Sequence, residues 1–131
     1  MTDPLPLLRQ HGIQASAHRV AVASYVLTTT DHPSADRVWK TVTATFPRIS
    51  RATVYNTLNL FVEKGLLRQL VLAEGKVVFD PNTRAHHHFV DEESGEIHDV
   101  PWDAFEVRHV DALTGLDVRE YQVVLRGRRE R

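Results

Sequence analysis

The 131-residue chain contains no cysteine. That excludes disulfides, thiolate catalysis, a thiol redox switch, iron–sulfur clusters and cysteine-held zinc, so any metal must sit on nitrogen and oxygen. Long apolar runs are also missing: no stretch approaches the ~20 apolar residues of a membrane span. The start, MTDPLPLLRQHGIQASAHRV, has neither the basic leader nor the apolar centre and cleavage site of a signal peptide, and the expectation is a cytoplasmic protein. Net charge is almost absent, at −1. The length suits one compact unit or two small modules, and no internal repeat or low-complexity segment interrupts it.

What the sequence does have is unevenly placed. Residues 1–82 carry nine Lys/Arg against six Asp/Glu, and residues 83–131 carry seven against eleven. The first half is therefore the better partner for a polyanion. Four of the eight histidines fall between positions 86 and 98, in a segment that also holds Asp91, Glu92, Glu93, Glu96 and Asp99.

Hydrophobic spacing predicts three helices: Ser16 to about Thr29, a second capped by Ser34 that stops before Pro47, and a third from Ser50 to Gly65. LLRQLVLAEGKVVFD then alternates around Glu74-Gly75 as two strands joined by a tight turn. Three helices and a β-hairpin make a winged helix-turn-helix. Pro81-Asn82-Thr83 has turn composition and marks the expected boundary between modules at 1–82 and 83–131. Beyond it, HHHFV and EIHDV read as paired strands, Trp102 to about Leu113 as a helix, and YQVVL as a last strand. The fold class is α+β, an N-terminal winged helix followed by a small αβ module too short for an independent core and thus expected to pair with a second copy.

On the third helix Val54, Leu58, Phe61 and Val62 share one side, and Ala52, Asn56, Asn59 and Glu63 the other, with Tyr55 at the margin. Asparagine bonds adenine in pairs, tyrosine touches a thymine methyl or a phosphate, and Arg51 stands at the electropositive helix start where phosphate binds. A solvated face has the same composition; the wing's Arg68 and Lys76 favour DNA. In the second module, alternation along a strand puts His86 and His88 on one face as a ready chelate and turns His87 away. Asp99 on the next strand and Asp80 at the end of the preceding hairpin bring carboxylates near. Imidazole with carboxylate suits Fe(II), Mn(II), Zn(II) or Ni(II). Chance clustering on an exposed strand is the bland alternative.

These residues resemble the ferric uptake regulator family of metal-dependent repressors, and more narrowly its peroxide-sensing branch. HPSADRVW at 32–39, ISRATVYNTLNLFVEKGLL at 49–67, VVFD at 77–80, HHHFV at 86–90 and GEIHDV at 95–100 carry the resemblance, which covers nearly the whole chain. It implies a regulatory site on His32, Asp80, His86, His88 and Asp99 holding one divalent ion per subunit, Mn(II) or Fe(II), with Zn(II) able to enter in vitro. The aspartate at 99, where iron-uptake members more often carry glutamate, tilts the reading to peroxide sensing. DNA contacts implied by the resemblance are Arg19, Tyr55 and Asn56, to which the reading of the helix adds Arg51 and Thr53, and implied partners are palindromic double-stranded operator DNA and a second copy of the chain. Two departures stand out. Asp91 and Ser94 occupy the first cysteine pair of the family's structural zinc, and the second pair is absent, so no such zinc is expected. A second ion would have His87 and Glu106, but Tyr121 stands where a histidine is expected. Alternatives are an uptake regulator without peroxide sensing, a metal-independent winged-helix protein, and a small dioxygenase using two histidines and a carboxylate; no enzymatic activity is expected.

Overall fold

A computed structural model describes residues 3–72 and 75–130. The chain divides into two units, residues 1–83 and 84–131. The first contains α1 (Leu5–Gln10), α2 (Ala17–Val26), α3 (Ala35–Val42), α4 (Arg51–Glu63), β1 (Arg68–Val71) and β2 (Val77–Asp80). The three expected serine caps all form. Ser16, Ser34 and Ser50 accept the N–H of Arg19, Arg37 and Thr53, satisfying donors that a helix start leaves unpaired. Gly65 follows α4 at φ +81°, a backbone that a side chain disfavours and a helix stop requires. The sequence reading had no counterpart to α1, a short helix that begins at a proline and sends Leu8 fully into the core.

Val22, Val26, Val38, Val54, Leu58 and Phe61 are wholly buried and form one cluster with Leu66, Leu67 and Phe79. β1 pairs antiparallel with β2, Arg68 opposite Asp80 and Leu70 opposite Val78. The predicted Glu74-Gly75 turn lies partly outside the described residues. Phe79 donates its N–H to the Pro33 carbonyl at 2.9 Å, stitching β2 to the turn before α3.

In the second unit β3 (His86–Asp91) lies between β4 (Ile97–Pro101) and β5 (Val124–Gly127), antiparallel to the first and parallel to the second. Two expectations are corrected. The segment from Trp102 to Leu113 forms only single 3₁₀ turns, Trp102–Ala104 and Val110–Ala112, broken by an extended Phe105 and by His109 at φ 68°. A short helix needs a surface to pack its apolar stripe on, and here Val110 is only half-buried and Leu113 is half exposed. The last strand starts at Val124, not Tyr121, and the Val123 N–H just before it turns to the His87 ring instead of the sheet.

Candidate metal centre and nucleic-acid interface

Each unit presents part of the expected ligand set. In the first, His32 and Asp80 are both buried, with Nε2 3.2 Å from Oδ2. The bond from Phe79 to Pro33 holds this pair together by joining the residues next to each. His32 sits at φ 50° immediately before Pro33, in a left-handed backbone that proline disfavours. Such a conformation costs of order 1–3 kcal/mol, and persists where a side chain is being aimed.

In the second unit the antiparallel register sets His88 directly opposite Asp99, and two-residue alternation adds His86 to the same face. Asp99 Oδ1 lies 3.3 Å from His86 Nε2 and 3.5 Å from His88 Nε2, and the two rings meet edge to face at 4.4 Å. Both histidines are buried while the Asp99 side chain is 38% exposed. The far nitrogens are occupied: His86 Nδ1 bonds the Arg84 carbonyl, and His88 Nδ1 lies 2.9 Å from Gln122 Oε1. An oxygen acceptor fixes a hydrogen on Nδ1 of each ring, so Nε2 is the nitrogen left facing the carboxylate, where a cation, a proton or a metal ion, joins the two. Two imidazoles and a carboxylate, with outer partners orienting each ring, fit a divalent first-row ion. The sequence alone does not single out Gln122 or the Arg84 carbonyl, since neither resembles a ligand.

The residues considered for a second ion behave differently. His87 is stacked between Trp102 (4.6 Å, 14°) and Phe105 (4.5 Å, 23°). Its Nδ1 accepts the Val123 N–H at 2.9 Å. Burial lowers its pKa, with His88 and His86 adding to the effect, so the ring stays neutral. With Nδ1 used as acceptor, the neutral ring carries its hydrogen on Nε2 and has no lone pair left for a metal. Glu106 and Tyr121 line the same cavity of about 340 Å³.

On α4 the inward face is Val54, Thr57, Leu58 and Phe61, while Tyr55, Asn56, Asn59 and Glu63 are exposed. A groove of about 650 Å³ and mixed polarity runs between this face and the start of α2, bounded by Arg19, Thr53, Asn56, Leu60 and Glu63. Arg19 donates to the Gln14 carbonyl at 3.0 Å, and the Thr53 hydroxyl meets Ser50 Oγ at 2.9 Å. Arg51 is drawn aside onto the Trp39 ring. The bonds of Arg19 and Thr53 are local and leave the groove lined with donors and acceptors of the kind that read or clasp nucleic acid.

Residues 10–126 match the model of the ferric uptake regulator family. The chain belongs to that family. It is 30% identical over 129 residues to the peroxide-responsive repressor PerR of Staphylococcus aureus, covering 97% of this chain and 87% of that protein. The ferric uptake regulator of Pseudomonas aeruginosa solved with manganese superposes with a TM-score of 0.71 at 25% identity, each chain covered completely. The peroxide stress regulator of Campylobacter jejuni gives 0.69 at 25%, with 99% and 98% covered. The fold is thus the family's α+β arrangement, a winged helix followed by a small αβ module, and the named relatives are regulators. Among the described residues no helix is long and apolar enough to cross a membrane.

Proposed function

We propose that this member of the ferric uptake regulator family is a cytoplasmic, homodimeric DNA-binding repressor whose operator affinity is set by one divalent ion per subunit, and that it regulates peroxide-stress or metal-homeostasis genes. The observation that carries the reading is the convergence of His86 and His88 Nε2 on Asp99 Oδ1 with both Nδ1 atoms held from behind. Three ligands are too few for a closed first-row site. The buried pair of His32 and Asp80 supplies the remaining donors in this reading, so that one ion draws on both units.

A bound ion would be held by His32, Asp80, His86, His88 and Asp99 and would supply positive charge and directional bonds and, as Fe(II), redox chemistry toward hydrogen peroxide. The chain's own residues do the rest. His88 and Asp99 are fixed by strand register, His32 by its turn, and residues 81–85 form the hinge whose freedom the shared ligands remove. A dimer reading a palindrome must keep its recognition helices about 34–36 Å apart, which a loose hinge does not do. Tyr55 and Asn56 then face base edges, with Arg19, Arg51 and Thr53 on the backbone. The activity is binding, not catalysis.

The test is a selection from random duplex DNA with Mn(II), followed by affinity measurements with and without the ion at constant salt. Metal is expected to raise affinity several-fold or more, within the ~5- to 150-fold of ordinary coupling, and His88→Ala to abolish the increase. Equal affinity with and without Mn(II) overturns the reading. Treating the Fe(II) form with hydrogen peroxide separates the two gene classes: release of DNA with an added oxygen on His32 or His86 marks a peroxide sensor, and retention marks an uptake regulator. Zn(II) is the ion expected to compete most strongly during purification.

A further inference from the structure

The recognition helix opens on an arrangement of which the function above uses only one member, Arg51. The guanidinium carbon of Arg51, the first residue of α4, lies 4.5 Å from the ring centroid of Trp39 on α3. The indole is anchored in turn, donating its N–H to the Ile49 carbonyl at 2.9 Å. Asp36, also on α3, places Oδ1 3.8 Å from Arg51 Nε. The Arg51 and Asp36 side chains are 59% and 54% exposed.

A guanidinium stacked on an indole gives up its face and keeps its in-plane N–H groups, so it remains a full hydrogen-bond donor. A solvated carboxylate at 3.8 Å contributes little and does not by itself hold a long side chain. The ring therefore does the holding, and the carboxylate is a weak partner that a stronger anion replaces. Direction matters too. Stacking pulls Arg51 off the exposed face of α4 and onto α3, the helix that in this motif crosses the sugar-phosphate backbone while the other reads bases.

We propose that Trp39 is a positioning residue for DNA: it holds Arg51 ready for a backbone phosphate, and Asp36 is the stand-in anion that the phosphate displaces. This rests on the DNA-binding reading above and adds to it a residue that does not itself touch DNA.

The experiment measures affinity of the Mn(II)-loaded full chain for its selected duplex and for an unrelated duplex across salt concentrations. R51Q is expected to weaken both by about tenfold and to flatten the slope of log affinity against log salt by about 0.9, the signature of one lost phosphate. Trp39→Leu reproduces most of that loss but adds little to R51Q. Asp36→Asn tightens binding in the native background and much less in R51Q, whereas a mere change of overall charge would act equally in both. Trp39→Phe keeps a ring face and falls between, which preserves the test if Trp39→Leu unfolds. Additive effects of Trp39→Leu and R51Q, an unchanged salt slope, or a loss confined to the selected duplex overturns the proposal. Failure of the native protein to select any duplex sinks the DNA reading instead, and so the two are distinguishable.

Discussion

The first unit buries fifteen apolar side chains in a single cluster, whereas the buried residues of the second are His86, His87, His88 and Asp91, joined by Ile97, among the described residues. Leu113, Leu116, Val118 and Leu125 of that second unit are 39–66% exposed. Apolar burial is non-directional and self-sufficient, while buried polar groups are stable only when every one of them has a partner. The contrast teaches that the two units are specified by different means. The winged helix is a core with a reading surface attached; the αβ unit is a set of oriented donors and uncovered apolar residues, completed in our reading by an ion and a second copy.

The most damaging way to challenge that contrast is Phe61→Ala. Removing a wholly buried phenylalanine from a packed cluster costs about 3–5 kcal/mol, enough to unfold much of the first unit at ambient temperature. Chemical denaturation followed by circular dichroism is expected to show this loss with and without Mn(II); full rescue by the ion would mean that the winged helix, too, depends on metal. A smaller effect is expected from Gln122→Ala. His88 would keep its place on β3 yet lose the partner that orients its ring, and an outer partner of this kind carries about 10- to 100-fold in metal affinity. Calorimetric titration with Mn(II) checks it, and an unchanged affinity would show that register alone orients His88. Ser50→Ala sharpens the comparison on the other side: loss of the α4 cap costs about 1 kcal/mol of unfolding free energy and leaves Mn(II) affinity as it was.

The same contrast decides what was legible beforehand. Helices α2, α3 and α4 were readable because Ser16, Ser34 and Ser50 each sit at the start of an apolar stripe, and both signals are local. The alternation of His86 and His88 was readable for the same reason, a two-residue period within one strand. The helix expected from Trp102 to about Leu113 was misread, because its helical spacing has too little beneath it to pack on, and spacing alone says nothing about the presence of a partner surface. Gln122 and Trp39 were missed on different grounds. Each meets another side chain brought near by tertiary structure, 34 residues away for His88 and 12 for Arg51. In this chain the candidate ligands leave a pattern in the sequence, and the groups that orient them in our reading do not.

The smallest expected effect concerns the turn between β3 and β4. Here Asp91 accepts the N–H groups of Glu93 at 2.9 Å and Ser94 at 3.3 Å, while its own carbonyl takes the Gly95 N–H at 2.7 Å. The Glu93 N–H is the chief reason that its pKa lies below the usual 3.8, with Ser94 and Arg129 also lowering it against an opposing effect of burial. A carboxyl whose folded value is depressed stabilises the fold fully above its unfolded value and loses that contribution as pH falls toward the folded one. The native protein should therefore weaken relative to Asp91→Asn as pH drops below about 4, because asparagine accepts the same two N–H groups at every pH. Acid unfolding of both proteins, metal-free so that the histidine site is not a variable, measures the difference. Parallel curves between neutral pH and about pH 3 would show that backbone bonds alone close this turn and that the aspartate is incidental to it.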